Sequence, residues 1–228
     1  MASGFALPSG FTPPGPSGLA TAEDLLAAGD IGPCELVRGE IAMMSPAGFE
    51  HGVITQRIAA FLHAHVAARQ LGVVTAAETG FLLARAPDTV RAPDVAFVAR
   101  ARLPRSRTVG FFEGAPDLAI EVLSPSETRD EAARARATAK ISDWLAAGCI
   151  EVWSVDPGTR TVTVHTADGS FPIAGESGSV ISGSVISGSA ISGSAISGSA
   201  ISGSVPSGAW TSTAVPGLAV RLADLFGG

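Results

Sequence analysis

A single carboxylate sits inside an otherwise unbroken apolar run, Leu118-Ala119-Ile120-Glu121-Val122-Leu123, and this stretch constrains the chain more than any other. A short run that is apolar on both alternating faces reads as a strand buried on both sides, the kind found inside an α/β sheet. An unpartnered carboxylate there costs several kcal/mol, so Glu121 requires a counter-charge. A cation is one solution, and a salt bridge to an arginine is the other.

The neighbouring segments suit such a sheet. Thr21 with Glu23 and Asp24 opens a short helix that Gly29 closes, and Glu35 to Met44 reads as a hairpin turning at Arg38 and Gly39. Ile54, Ile58, Phe61, Leu62 and Val66 recur at helical spacing, predicting one long helix from about Glu50 to Gln70. Strands are expected at Val73–Ala77, Phe81–Leu83, Val95–Val98 and Leu118–Leu123, together forming the sheet's centre. Ser124, Pro125 and Glu127 mark a helix start, and that helix is expected to run to about Ala147, followed by strands at Ile150–Val155 and Thr161–Thr166. The order implies a mixed α/β domain.

Two segments have a different texture. Residues 1–18 are rich in Gly, Pro and Ser and read as a lead-in without chemistry. From Ser179 to Gly203 the units Ser-Val-Ile-Ser-Gly and Ser-Ala-Ile-Ser-Gly repeat with period five, placing Ile181, Ile186, Ile191, Ile196 and Ile201 in register. They weakly resemble pentapeptide repeats but are too few for more than about a coil, so residues 178–208 read as a low-complexity insert in a surface connection. Residues 19–177 are then the main domain, and 209–228 a segment whose apolar spacing lets it dock back.

Composition excludes several functions. Charged residues make up 16% and apolar ones 46%, a balance that supports a folded core. A net charge of −6 argues against a protein that coats nucleic acid by bulk charge, so any DNA contact needs local clustering. Arg85, Arg91, Arg100, Arg102, Arg105 and Arg107 supply one candidate cluster, which reads equally as a solvated loop. No apolar run approaches the roughly 20 residues that cross a bilayer, and the N-terminus lacks a basic start with a hydrophobic stretch, so a cytoplasmic protein without membrane association is expected. Cys34 and Cys149 lack metal-ligand spacing.

Asp94 follows Pro93 and leads directly into the apolar strand Val95–Val98, a setting like that of Glu121. Two carboxylates brought together on neighbouring strands repel unless a metal or a proton intervenes. Hard oxygen ligands without a His or Cys cluster point to Mg²⁺ or Mn²⁺ rather than zinc. Lys140 is the only lysine of the chain, and its compact ammonium can approach a water or a phosphate more closely than a guanidinium. Its offsets from Arg129 and Arg136 place the three on one face of a continuous helix. The plainer alternatives are a turn residue for Asp94 and an exposed helix residue for Lys140. His51, at the start of the long helix, is a candidate to position a phosphate or act as a general base, or simply to cap the helix.

At these residues the chain resembles a known family. Arg91-Ala92-Pro93-Asp94-Val95-Ala96-Phe97-Val98, Pro116-Asp117-Leu118-Ala119-Ile120-Glu121-Val122-Leu123-Ser124-Pro125-Ser126, Lys140, and Ala147-Gly148-Cys149-Ile150-Glu151-Val152-Trp153-Ser154-Val155-Asp156-Pro157 are similar to successive blocks of the Uma-two family. Glu35-Leu36-Val37-Arg38-Gly39-Glu40-Ile41, His51 and Pro216-Gly217-Leu218 extend the likeness. Members are described as restriction endonucleases of the PD-(D/E)XK superfamily. The resemblance implies a restriction-endonuclease-like core, a mixed central sheet flanked by helices. In it Asp94 and Glu121 are the metal-binding acids, DNA is the substrate, Mg²⁺ or Mn²⁺ the cofactor, and a homodimer the assembly. Leu123 stands where the superfamily motif E-x-K places its lysine. Lys140 matches a lysine in the family's following helix and reads as its migrated equivalent. The rival reading is a nuclease-fold module that binds nucleic acid or a protein partner with little or no catalysis.

Overall fold

The computed structural model describes residues 18–76, 79–106, 109–174 and 209–227. Thr21 accepts the Asp24 N–H while the Asp24 carboxylate accepts the Thr21 N–H, a capping box that starts α1 (Ala22–Ala27). The hairpin β1 (Cys34–Val37) and β2 (Glu40–Met43) turns through Arg38 and Gly39, at φ 52° and 83°. Two consecutive positive φ values are what a two-residue turn needs to match the twist of its strands. The long helix α2 (Phe49–Arg69) ends as Gln70 turns left-handed, and β3 (Gly72–Ala76) follows. Next come β4 (Phe81–Ala84), β5 (Thr89–Arg91), β6 (Val95–Ala99), β7 (Phe112–Glu113) and β8 (Leu118–Val122). Helices α3 (Pro125–Thr128) and α4 (Glu131–Ala146) lead to β9 (Glu151–Asp156), β10 (Thr161–Thr166), β11 (Gly169–Ile173), β12 (Ala209–Thr211), β13 (Ala219–Arg221) and α5 (Leu222–Phe226).

Six strands form a mixed sheet in the order β11-β10-β9-β8-β6-β3, with β8 and β9 parallel and the other neighbours antiparallel. β8 is therefore central, as its apolar sequence requires. One face of this sheet packs Val95, Phe97, Leu118 and Ile120 against Ile54, Ile58, Leu62 and Val66 of α2, and against Leu222, Leu225 and Phe226 of α5. The other face sets Ala96, Val98, Ala119 and Val152 against Trp144 of α4 and Phe81 of β4. Because side chains alternate along a strand, Glu121 shares the face of Ala119 and points toward α4.

The segment after the insert is held by a buried carboxylate. Glu151 is 1% exposed, and its Oε2 accepts bonds from Ser212 Oγ, Thr213 N and Oγ1, and Ala214 N at 2.6–3.2 Å. Hydrogen bonds to a charged acceptor are about twice as strong as neutral ones, so four donors gathered on one oxygen fix the entry of the tail.

Three expectations need correction. The strand at Phe81 lies outside the central sheet, in a second sheet of order β2-β1-β5-β4-β7, while β3 is the edge of the first. The helix expected from Ser124 to about Ala147 is broken. Asp130 takes an extended conformation and its side chain accepts the Ala133 N–H at 2.8 Å, so it caps a new helix where a continuous one would run. Arg129 therefore leaves the face of Lys140, and Arg136 is exposed, whereas Lys140 shares the buried face of α4 with Ala133 and Trp144. The lead-in up to residue 17, Ala77, Arg107 and the whole repeat insert lie outside the described residues.

Candidate active site

Asp94 and Glu121 meet at the end of the central strands. The antiparallel register pairs Val95 with Ile120, and continuing it by one residue sets Asp94 opposite Glu121. Asp94 Oδ2 accepts the Val122 N–H at 2.7 Å, which fixes its carboxylate beside the strand that carries Glu121. That bond also answers the simpler reading of Asp94: it is a residue that tethers β6 to β8, with its side chain 23% exposed.

Glu121 is held on both oxygens. Trp144 Nε1–H donates to Oε1 at 2.8 Å, and the Lys140 ammonium lies 2.9 Å from Oε2. Its counter-charge is thus the lysine, not an arginine. Burial nevertheless outweighs this pairing and pushes the Glu121 carboxyl up to about 7, with the charges of Asp94 and Glu35 adding to the rise. The same pair of glutamates holds the Lys140 ammonium well above its ordinary range, against the opposing pull of burial.

The Lys140 ammonium faces three oxygens. It donates to the Ala92 carbonyl at 3.0 Å and is ion-paired with Glu121 Oε2 at 2.9 Å and Glu35 Oε1 at 3.0 Å. Its side chain is 16% exposed, so it is not the exposed helix residue of the plainer reading. Glu35 in turn accepts from the Ala92 N–H at 3.0 Å and from Arg91 at 2.7 Å, and Arg91 also holds Asp143 at 2.5 Å. These partners were not assigned from sequence. The one signal available was a carboxylate in a hairpin strand next to Leu36, both of which are buried.

His51, from the first turns of α2, brings Nε2 to 3.3 Å from Asp94 Oδ2, while Thr55 Oγ1 lies 3.4 Å from Nδ1. Hydrogen bonding to Asp94 raises its pKa, which favours an imidazolium on the Asp94 carboxylate over a free base. The arginine cluster, in contrast, is not gathered at this site. Arg100 reaches Gln70, Arg102 reaches Asp117 and the Ala115 carbonyl, and both lie at the opposite ends of β6 and β8 from the acids. Arg85 pairs with Glu23 and Asp88, while Arg91 joins the network.

The donor set suits a hard divalent cation. Asp94 and Glu121 offer oxygens only, and their carboxylates lie on adjoining strand ends. Among the described residues no group of three or more His, Cys, Asp and Glu is placed to hold a metal. Mg²⁺ does not need one, because it keeps several waters and is bound by one or two carboxylates together with substrate phosphates.

A mixed sheet flanked by helices, with two acids at the ends of central strands and a lysine reaching them from the next helix, is a restriction-endonuclease-like fold. Residues 22–188 match the model of the Uma2 family, described as "Putative restriction endonuclease", and the chain belongs to that family. Among solved structures it is similar to "a putative nuclease belonging to DUF820 from Anabaena variabilis ATCC 29413", with a TM-score of 0.65, 19% identity, and coverage of 90% of this chain and 97% of that one. A likeness at that identity shows the fold. No curated protein matches the chain.

Proposed function

We propose that the protein is a Mg²⁺- or Mn²⁺-dependent endonuclease of the PD-(D/E)XK type that hydrolyses phosphodiester bonds in DNA. The observation that carries this reading is the convergence of Asp94 and Glu121 on adjoining strand ends with the only lysine of the chain on Glu121. Asp94 and Glu121 would hold the cation, which when bound supplies Lewis acidity and counter-charge for the phosphate. Lys140 stabilises negative charge as it develops on the phosphate. The Val122 N–H and His51 keep Asp94 oriented. Arg129, at the end of α3, and Arg134 and Arg136, on α4, are exposed cations near Lys140 in sequence that a backbone phosphate could reach, Arg129 by leaving Asp130 and Arg134 by leaving the Thr128 carbonyl. A homodimer would let two such centres address two strands. No helix among the described residues is long and apolar enough to cross a membrane.

The test is cleavage of supercoiled and linear DNA with Mg²⁺ or Mn²⁺ by the wild type and by Asp94→Asn, Glu121→Gln and Lys140→Ala. Metal-dependent cutting that falls by about 100-fold or more in each folded variant is expected. A folded wild type that cuts no form of DNA with either metal overturns the reading. One observation favours the rival module: Leu123 replaces the in-strand lysine, and Lys140 is already bound to protein oxygens on Glu35, Glu121 and Ala92. For that module, DNA would bind with measurable affinity, by fluorescence anisotropy, without being cut.

A further inference from the structure

In an E-x-K strand the lysine is delivered by the same rigid strand as the acid, two residues away. Here it comes from α4, at the end of four methylenes, and a free lysine side chain samples many rotamers. Something must hold it. We infer that Glu35 is the positioning residue that retains Lys140 in the site, replacing the strand tether with a carboxylate from the second sheet. This inference rests on the reading of Asp94, Glu121 and Lys140 as a nuclease centre.

The geometry of Glu35 fits a holder. It is 5% exposed, and its Oε1 binds both the Lys140 ammonium and the Ala92 N–H. The Ala92 carbonyl also receives a Lys140 hydrogen, so Glu35 and the Ala92 peptide clasp the ammonium from two sides. Glu35 Oε2 is occupied by Arg91 at 2.7 Å. Arg91 is itself anchored on Asp143, three residues along α4 from Lys140, so the holder and the helix that carries the lysine are locked together.

This arrangement separates two tasks. Glu121 is the partner of Lys140 that the proposed cation would also engage, and a lysine held by Glu121 alone would lose its place when that carboxylate turned to the metal. With Glu35 and the Ala92 carbonyl, two of its three bonds survive. The third hydrogen then becomes the one available to the substrate.

The single lysine makes the test direct, because ¹³C,¹⁵N-lysine labelling of the full chain gives one side-chain NMR signal. The probe is Mg²⁺ alone, added to the wild type and to Glu35→Gln, without DNA. The wild-type signal is expected to stay distinct from that of a solvated lysine at saturating Mg²⁺. The Glu35→Gln signal is expected to move to the solvated position. In cleavage, Glu35→Gln should lower kcat on the order of 100-fold, the scale of a misplaced catalytic group, with KM for DNA little changed. In a Lys140→Ala background it should cost nothing further. Should Glu35→Gln not fold, Glu35→Asp, which keeps the charge but withdraws it by one methylene, takes its place in both measurements. A Lys140 signal indifferent to the Glu35 substitution, or an equal loss of kcat with and without Lys140, overturns the inference. If the wild type cuts no DNA, the nuclease reading fails while the NMR signal still decides whether Glu35 holds Lys140.

Discussion

Replacing Glu121 by Gln should reverse part of the pH dependence of stability. The fold raises this carboxyl from 4.5 to about 7, chiefly by burial. Between those values the native protein retains a proton that the unfolded chain has released, so raising the pH favours unfolding. Stability contributed by the protonated group is complete below about pH 4.5 and is lost as the pH rises through about 7. At about 1.4 kcal/mol per pH unit the loss is on the order of 3 kcal/mol. Glutamine does not titrate and keeps an acceptor for Trp144. Urea unfolding of both proteins in EDTA, from pH 4.5 to 8, should therefore show the variant gaining on the wild type by on the order of 3 kcal/mol across the interval. His51 is present in both proteins and largely cancels. If Glu121 holds the cation as proposed, saturating Mg²⁺ should stabilise the wild type more at pH 8 than at pH 5, where the carboxylate is protonated. A difference curve flat with pH would mean that Lys140 compensates Glu121 as well as water does, and the argument for a cation at this position would fail.

Lys140→Ala strands Glu35 and Glu121 in the interior and should destabilise the fold by about 3–5 kcal/mol at pH 8, and by less at pH 5 where Glu121 takes up a proton, as read by thermal melting. Glu151→Gln removes the charge that gathers Ser212, Thr213 and Ala214, and each charge-assisted bond is worth about 1.5–3 kcal/mol. Hydrogen exchange should accelerate across residues 212–226 while α4 keeps its protection; uniform acceleration would argue against a local anchor. Deleting residues 179–208 should leave cooperative unfolding and any DNA cleavage in place, and loss of either would give the repeats a part in the fold or the site.

The acids were legible in the sequence because each is chemically out of place, Glu121 inside an apolar strand and Asp94 at the mouth of another. Lys140 stood out as the only residue of its kind. Its surroundings were not legible. Glu35 meets Arg91 on the neighbouring strand β5 and Lys140 on α4 only once these distant segments pair, and nothing in the local pattern of Cys34–Val37 reports either partner. The second sheet escaped for a related reason. β5 spans three residues and β7 two, too short for a period to register. The break before α4 was hidden by a strong start signal at Ser124-Pro125-Glu127, which drew attention from Asp130 six residues further on, and with it went the supposed face of Arg129, Arg136 and Lys140.

The clasp around Lys140 also dates the site in the life of the chain. Glu35, Asp94, Glu121 and Lys140 come from two sheets and a helix far apart in sequence, and contacts of such separation form only after their closure entropy has been met. During synthesis, a nascent chain that has not yet reached Lys140 has the acids without their cation. Even the finished chain must dock β1 on β5 and α4 on β8 before the four side chains share one place. If the proposed function holds, a centre built this way is complete only after the two sheets and α4 have docked, and a chain stopped before Lys140 would lack it.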